Sequence, residues 1–348
     1  MFCFIIFSAS MGFDSPAFHQ VSLTIKTKRK MYKTIKTNSL EIFKHNNYFK
    51  TDIGMVSDNA YLSIVATNNC QCNCPYCINS ETDRRLNMPL GKAISNIKKL
   101  VGKYHVKEAI ILGGEPLLYP EINELIHCLK IQCGLEKVRL TTNGIRLRLD
   151  PTQDRCNKFV VNELCDAGLD GINISFHNED FMSWENLDEV YKAFKERGVK
   201  VRINTNIWRG NHDNANKLLR FIDKISLCCD EIRVSNIIPK DSFSVNPVNR
   251  EDNDLILPDE EYIDLFNDVI EYYSLQGYAI FDNPKTLGFV RYLLIPTEKP
   301  IIINWNIGST VSEQVCENNI ENRQINTFKC LVNGEISLSW NTNNIINL

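Results

Sequence analysis

The stretch Thr67-Asn68-Asn69-Cys70-Gln71-Cys72-Asn73-Cys74-Pro75-Tyr76-Cys77 carries four cysteines in eight residues. It follows residues 61–67, a short apolar run that reads as a buried strand. Active sites of parallel sheets lie at strand C-terminal ends, so a thiol-rich loop there is a candidate site. Soft thiolates select zinc, Cu(I) or an iron–sulfur cluster. A zinc ribbon needs a second cysteine pair, and none is near. Cys70, Cys74 and Cys77 are spaced C-x3-C-x2-C, which suits a cubane: three thiolates hold three irons and leave the fourth open. A zinc site and a purely structural set remain open readings of the same residues.

Outward from this loop the pattern alternates. Strand-like runs fall at residues 61–67, 108–112, 137–141, 171–176, 199–207 and 231–238. Between them, residues 89–101, 122–129, 156–167, 184–194 and 218–225 carry apolar positions at helical spacing. Parallel neighbours need crossover helices, so six such units predict an α/β fold with a parallel sheet, closed into a partial (β/α)6 TIM-like barrel or opened as a doubly wound sheet. The expected organisation is an arm over 1–58, a core barrel over 59–240 and a C-terminal extension over 241–348. The extension holds an amphipathic helix at 260–275 and a β-hairpin at 328–340 around Asn333-Gly334, read as a two-residue type I′ turn. These two elements are expected to cover the open side of the barrel, with Trp305 or Trp340 near its mouth.

Composition narrows the function. The 348 residues are 43% hydrophobic with a formal net charge of −3, which points to neither a nucleic-acid nor a membrane partner. Residues 26–36 (KTKRKMYKTIK) read as a solvated basic stretch. Thirteen cysteines, an odd number, fit a reducing cytoplasm, where clustered thiols mean metal or redox chemistry. Residues 2–7 are too short an apolar run to span a bilayer. Met11, Met31 and Met55 are alternative starts.

Two polar turns follow the second and third strands. Gly113-Gly114-Glu115-Pro116 begins 36 residues after Cys77, and a glycine pair lets backbone approach a ligand closely. Thr141-Thr142-Asn143-Gly144 ends the third strand. Asn173, Ser175 and His177 then alternate with apolar residues, as do Arg202, Asn204 and Asn206. Strands covered on both faces run almost wholly apolar, so these rows suggest either a ligand-filled interior or satisfied buried polar pairs.

The cysteine spacing after a first strand, with aromatic Tyr76 before the last cysteine, resembles the radical S-adenosylmethionine (SAM) superfamily. Gly113, Gly114, Glu115 and Pro116 look like its GGEP motif. Thr142 and Asn143 lie in a T-T-N-G segment similar to the branch of molybdenum-cofactor GTP cyclases and peptide-modifying enzymes. The resemblance implies a [4Fe–4S] cluster on Cys70, Cys74 and Cys77, whose unique iron chelates SAM. One electron then splits SAM to methionine and a 5′-deoxyadenosyl radical that takes hydrogen from substrate. It implies SAM contacts from Tyr76, from Gly113, Gly114, the Glu115 carboxylate and Pro116, from Thr142 and Asn143, and from Ser175 and Asn204, with Ile238 beside the adenine. It also implies an electron donor such as flavodoxin or ferredoxin, and a peptide or small-metabolite substrate.

Against a GTP cyclase, Ser63 and Ile110 stand where that enzyme has arginines, and Arg202 where it has lysine. Its C-terminal cysteine triad is reduced to Cys316 and Cys330, a candidate second cluster site. Alternatives are therefore a GTP 3′,8-cyclase-like enzyme and a non-enzymatic metal-binding module. His177 and Arg202 are candidates to meet substrate, and Cys72 is read as a spare thiol.

Overall fold

The computed structural model describes residues 4–7, 21–26, 32–37, 47–74, 76–77, 82–150, 153–237, 255–286, 289–295, 301–306, 323–340 and 344–348. In chain order the elements begin with strands β1 (Phe4–Phe7), β2 (Val21–Lys26), β3 (Tyr32–Thr37), β4 (Tyr48–Thr51) and β5 (Gly54–Thr67). Helix α1 (Leu90–Tyr104), β6 (Glu108–Gly113), α2 (Ile122–His127), β7 (Lys137–Thr142), α3 (Lys158–Asp166), β8 (Gly171–Ser175), α4 (Trp184–Glu196), β9 (Lys200–Ile207), α5 (Ala215–Ile225) and β10 (Glu231–Asn236) follow. Helix α6 (Asp259–Leu275), β11 (Ala279–Thr286), β12 (Phe289–Ile295), β13 (Ile301–Asn306), β14 (Gln324–Cys330) and β15 (Ile336–Ser337) complete the chain.

The chain divides into two compact units: Met1–His45, Thr205–Pro239 and Asn253–Val311 form one, Asn46–Asn204, Lys240–Asp252 and Ser312–Leu348 the other. The division cuts the expected 59–240 core within β9. It sets residues 46–58 with the cysteine loop, because β4 pairs antiparallel with the start of β5. Strand β5 starts at Gly54, earlier than its apolar run, because Ser57, Asp58 and Asn59 hide the continuation.

In the second unit β5, β6, β7, β8 and the start of β9 pair in parallel, in sequence order. Their register sorts side chains by face. Leu62, Ala109 and Val138 align in one row, and Ile64, Ile111, Leu140, Ile172 and Val201 in the next. All eight are buried. This is the helix face: α1 presents Ala93, Ile97, Leu100 and Tyr104 at intervals of three and four, all buried. Helices α3 and α4 start on side-chain caps, Asn157 accepting from Val160 N–H and Ser183 from Asn186 N–H.

The C-terminal hairpin joins this sheet by its edge. Strand β14 lies parallel to β5, with Phe328 opposite Leu62 and Lys329 opposite Ser63. Phe328 is fully buried and stacks on Tyr104 at 5.5 Å. The expected type I′ turn is not formed. That turn requires positive φ at both central residues, and only Gly334 has it, at 79°. Leu331 N–H instead donates to Glu335 O at 2.9 Å, across three residues with Gly334 left-handed.

In the other unit β10 pairs parallel with β13, which continues antiparallel through β12 to β11. Strand β1 adds to β11, and β2 and β3 follow antiparallel. Helix α6 matches the expected amphipathic helix. Tyr273 donates to Asp223 at 2.7 Å, which binds α6 to α5. Trp305 is a core residue and not a residue at a mouth: it is 0% exposed, with ring centroids of Tyr262 and Phe266 at 4.8 and 4.5 Å. Among the described residues no helix is long and apolar enough to cross a membrane.

Phe328→Ala removes a buried ring from the joint between β14 and α1. It should cost about 3–5 kcal/mol, read as a lower urea midpoint with an unchanged slope.

Candidate active site

The cysteine loop leaves the C-terminal end of β5, and its path is set by backbone bonds. Gly114 N–H donates to Thr67 O and Glu115 N–H to Asn69 O, both at 2.7 Å. On the other side Asn68 N–H donates to Leu86 O at 2.9 Å. The glycine pair exists because of this closeness. A Cβ on Gly113 would collide with the Thr67 carbonyl, and one on Gly114 with those of Asn68 and Asn69.

Glu115 is 1% exposed. Its Oε1 accepts from Leu117 N–H at 3.0 Å and from the Thr142 hydroxyl at 2.6 Å, and its Oε2 accepts from Asn143 N–H at 2.7 Å. Burial pushes this carboxyl up from its ordinary value, while the three donors act the other way. Glu115 thus clamps the turn after β6 to the turn after β7, a task the motif reading did not foresee. Gly144, at φ 81°, lets the second turn fold back, its N–H donating to Thr142 Oγ1 at 3.0 Å.

From that turn Asn143 reaches into the loop. Its Nδ2 donates to Cys72 Sγ and its Oδ1 accepts from Gln71 Nε2, each at 3.4 Å. Cys72 is buried, and burial, then Cys70 and Cys74, push its thiol up to about 12. Arg84 grips the loop from outside, donating to Cys70 O at 3.3 Å and Asn73 Oδ1 at 3.2 Å. Sequence reasoning missed Arg84, since one cation in a polar loop carries no periodic or motif signal. Tyr76 meets His177 edge-on, ring centroids 5.7 Å apart, and so links the loop with the end of β8.

Further along, Ser175 lies opposite Asn204, and Phe176 N–H donates to Asn204 O at 2.9 Å. Arg202 Nε donates to Asn204 Oδ1 at 3.1 Å, so Arg202 orients that amide. Ile238 and Cys316 lie outside the described residues. Cys330 is fully buried, its sulfur 3.8 Å from Met88 Sδ, which is ordinary packing on the helix face.

Do these residues fit a metal group? Cys70, Cys74 and Cys77 are part-buried. Burial, then Cys77 and Cys70, push the Cys74 thiol up. A single zinc draws its thiolates to within roughly 2.3 Å of one point. Three soft thiolates in one loop suit a cluster whose ligands each bind a separate iron. Bound cations would also reverse the repulsion that raises Cys74. The donor set fits an iron–sulfur cluster.

Residues 64–225 match the Radical SAM superfamily. The chain is 30% identical over 164 residues to a GTP 3′,8-cyclase of Chlorobaculum tepidum, covering 44% of this chain and 47% of that protein. It is 28% identical over 231 residues to a GTP 3′,8-cyclase of Aquifex aeolicus, covering 62% and 66%. The chain thus spans about half to two thirds of these relatives. In fold it is similar to SuiB of Streptococcus suis bound to S-adenosylmethionine, with a TM-score of 0.56 at 16% identity over 84% of this chain and 64% of that one. It is similar to SuiB bound to its precursor peptide SuiA, with a TM-score of 0.55 at 15% identity over 83% and 62%. Residues 64–225 are a radical SAM domain, of a family that uses a [4Fe–4S] cluster and SAM.

Gly114→Ala should displace the cysteine loop. We expect a stability loss of about 1–3 kcal/mol by urea unfolding, and iron incorporation after anaerobic reconstitution well below that of the unchanged chain.

Proposed function

We propose, from the radical SAM domain at residues 64–225, that this chain reductively cleaves SAM to a 5′-deoxyadenosyl radical that abstracts hydrogen from a peptide or small metabolite. Its barrel is the partial (β/α)6 type. The observation that carries this reading is the hydrogen-bonded joint between the C-x3-C-x2-C loop and the two turns, through Gly114, Glu115 and Asn143. When bound, the cluster supplies the single electron for SAM cleavage.

The chain's own residues hold and orient. Cys70, Cys74 and Cys77 are the cluster thiolates. Glu115 is a positioning residue: engaged by Leu117, Thr142 and Asn143, it fixes the turns beside the loop. The backbone of Gly113, Gly114 and Pro116 then lines the SAM site. Tyr76, Ser175 and Asn204 complete it. Arg202 holds Asn204 in place. The partners are a flavodoxin- or ferredoxin-like donor in a reducing cytoplasm, and neither nucleic acid nor membrane.

A second reading is favoured by the named relatives: a GTP 3′,8-cyclase-like enzyme. Ser63 and Ile110 speak against it, since neither side chain binds a phosphate as arginine does.

Anaerobic reconstitution should give about four irons per chain. With SAM and a strong reductant, 5′-deoxyadenosine should form. Alanine at Cys70, Cys74 or Cys77 should abolish both, whereas Cys72→Ala should keep the cluster. One zinc and no iron would establish a metal-binding module instead. Consumption of GTP with a matching rise in 5′-deoxyadenosine would establish the cyclase reading.

A further inference from the structure

Register places a row of side chains on the sheet face opposite the helices. Phe328 and Cys330 point to the helix face, against Tyr104 and Met88, so Lys329 between them points to the other. Cα partners then run Lys329, Ser63, Ile110, Arg139, Gly171 and Lys200 across six strands. In the next row Thr141, Asn173 and Arg202 align, and Asn173 Nδ2 donates to Thr141 Oγ1 at 3.0 Å. This is the face that carries Ser175 and Asn204.

The charge on this face is one-sided. The two rows hold Lys329, Arg139, Lys200 and Arg202 and no carboxylate. Glu108, two residues earlier on β6, is already paired with Lys137 at 2.8 Å. Among the described residues neither Lys329 nor Arg139 makes an ion pair. The Lys329 ammonium lies over the Trp340 ring, 4.8 Å from its centroid. That contact does not offset burial, which holds the amine down at about 7. A part-buried cation beside a serine hydroxyl and without a counter-charge is costly unless an anion completes it.

We propose that Lys329, with Ser63 beside it, anchors an oxyanion of the substrate, a carboxylate or a phosphate. The inference rests on the radical SAM reading only in calling the bound molecule a substrate. Trp340, 40% exposed, is the apolar wall of this anchor.

The test is calorimetric titration of the full chain, isolated anaerobically, with pyrophosphate and separately with succinate. We expect one of the two to bind: pyrophosphate if the substrate is phosphorylated, succinate if it is a carboxylic acid. Lys329→Met should weaken that binding about tenfold, while Lys329→Arg stays near the unchanged chain. A second measurement needs no variant: limited acetylation of the unchanged chain by acetic anhydride, read by peptide mass spectrometry, should be suppressed at Lys329 by the probe that binds. Absence of binding by both probes, unaltered binding in Lys329→Met, or unprotected Lys329 would each overturn the anchor. These readouts involve no SAM cleavage, so the anchor can fail while 5′-deoxyadenosine still forms, and the reverse.

Discussion

The close approach of two backbones, the Gly113-Gly114 turn against Thr67 to Asn69, is the constraint on which the candidate site depends. Two peptide N–H groups donate across it at 2.7 Å, and no side chain fits between. A buried peptide group left unpaired is expensive, so this joint fixes the start of the cysteine loop more firmly than side-chain contacts would. Glu115 sits at the end of the same turn and passes the constraint to Thr142 and Asn143. Asn143 returns it to Cys72. Three successive loops therefore close a ring of hydrogen bonds at the base of the thiol loop.

The ring gives the site its chemistry. Thiols crowded in a part-buried loop repel as thiolates, and burial raises Cys74 and Cys72 further. Such a loop is poorly suited to staying charged on its own and well suited to a positively charged metal group. Arg84 contributes from the solvent side by gripping carbonyl and amide oxygens of the loop.

Much of this was legible in the sequence, for physical reasons. Strand–helix alternation reads well because burial repeats with the geometry of each element, so β6 to β10 and their helices fall near where the pattern sets them. The polar rows of β8 and β9 were legible because side-chain period in a strand is two. Other features carried no local signal. Asn333-Gly334 resembles a two-residue turn, but pairing of Lys329 with Ser337 demands a longer connection. The glycine pair reads as room for a ligand, whereas much of the room is filled by the Asn68 and Asn69 carbonyls. Trp305 is expected near the barrel mouth and is the centre of a core, since burial depends on the α6 partners Tyr262 and Phe266.

The pairing of β14 with β5 has a consequence for how the chain is made. Lys329 lies opposite Ser63, 266 residues away in sequence. Contacts between such remote segments form late, because loop closure costs entropy before it returns any pairing. On a ribosome adding about 5–20 residues per second, the outer edge of β5 waits roughly 13–53 s for its neighbour to emerge. Through that interval an apolar strand edge, with the thiol loop at its tip, is open to other chains. Translation speed and chaperone cover thus belong to the chemistry of this protein, since metal loading before the last strand arrives would act on a sheet still missing its border.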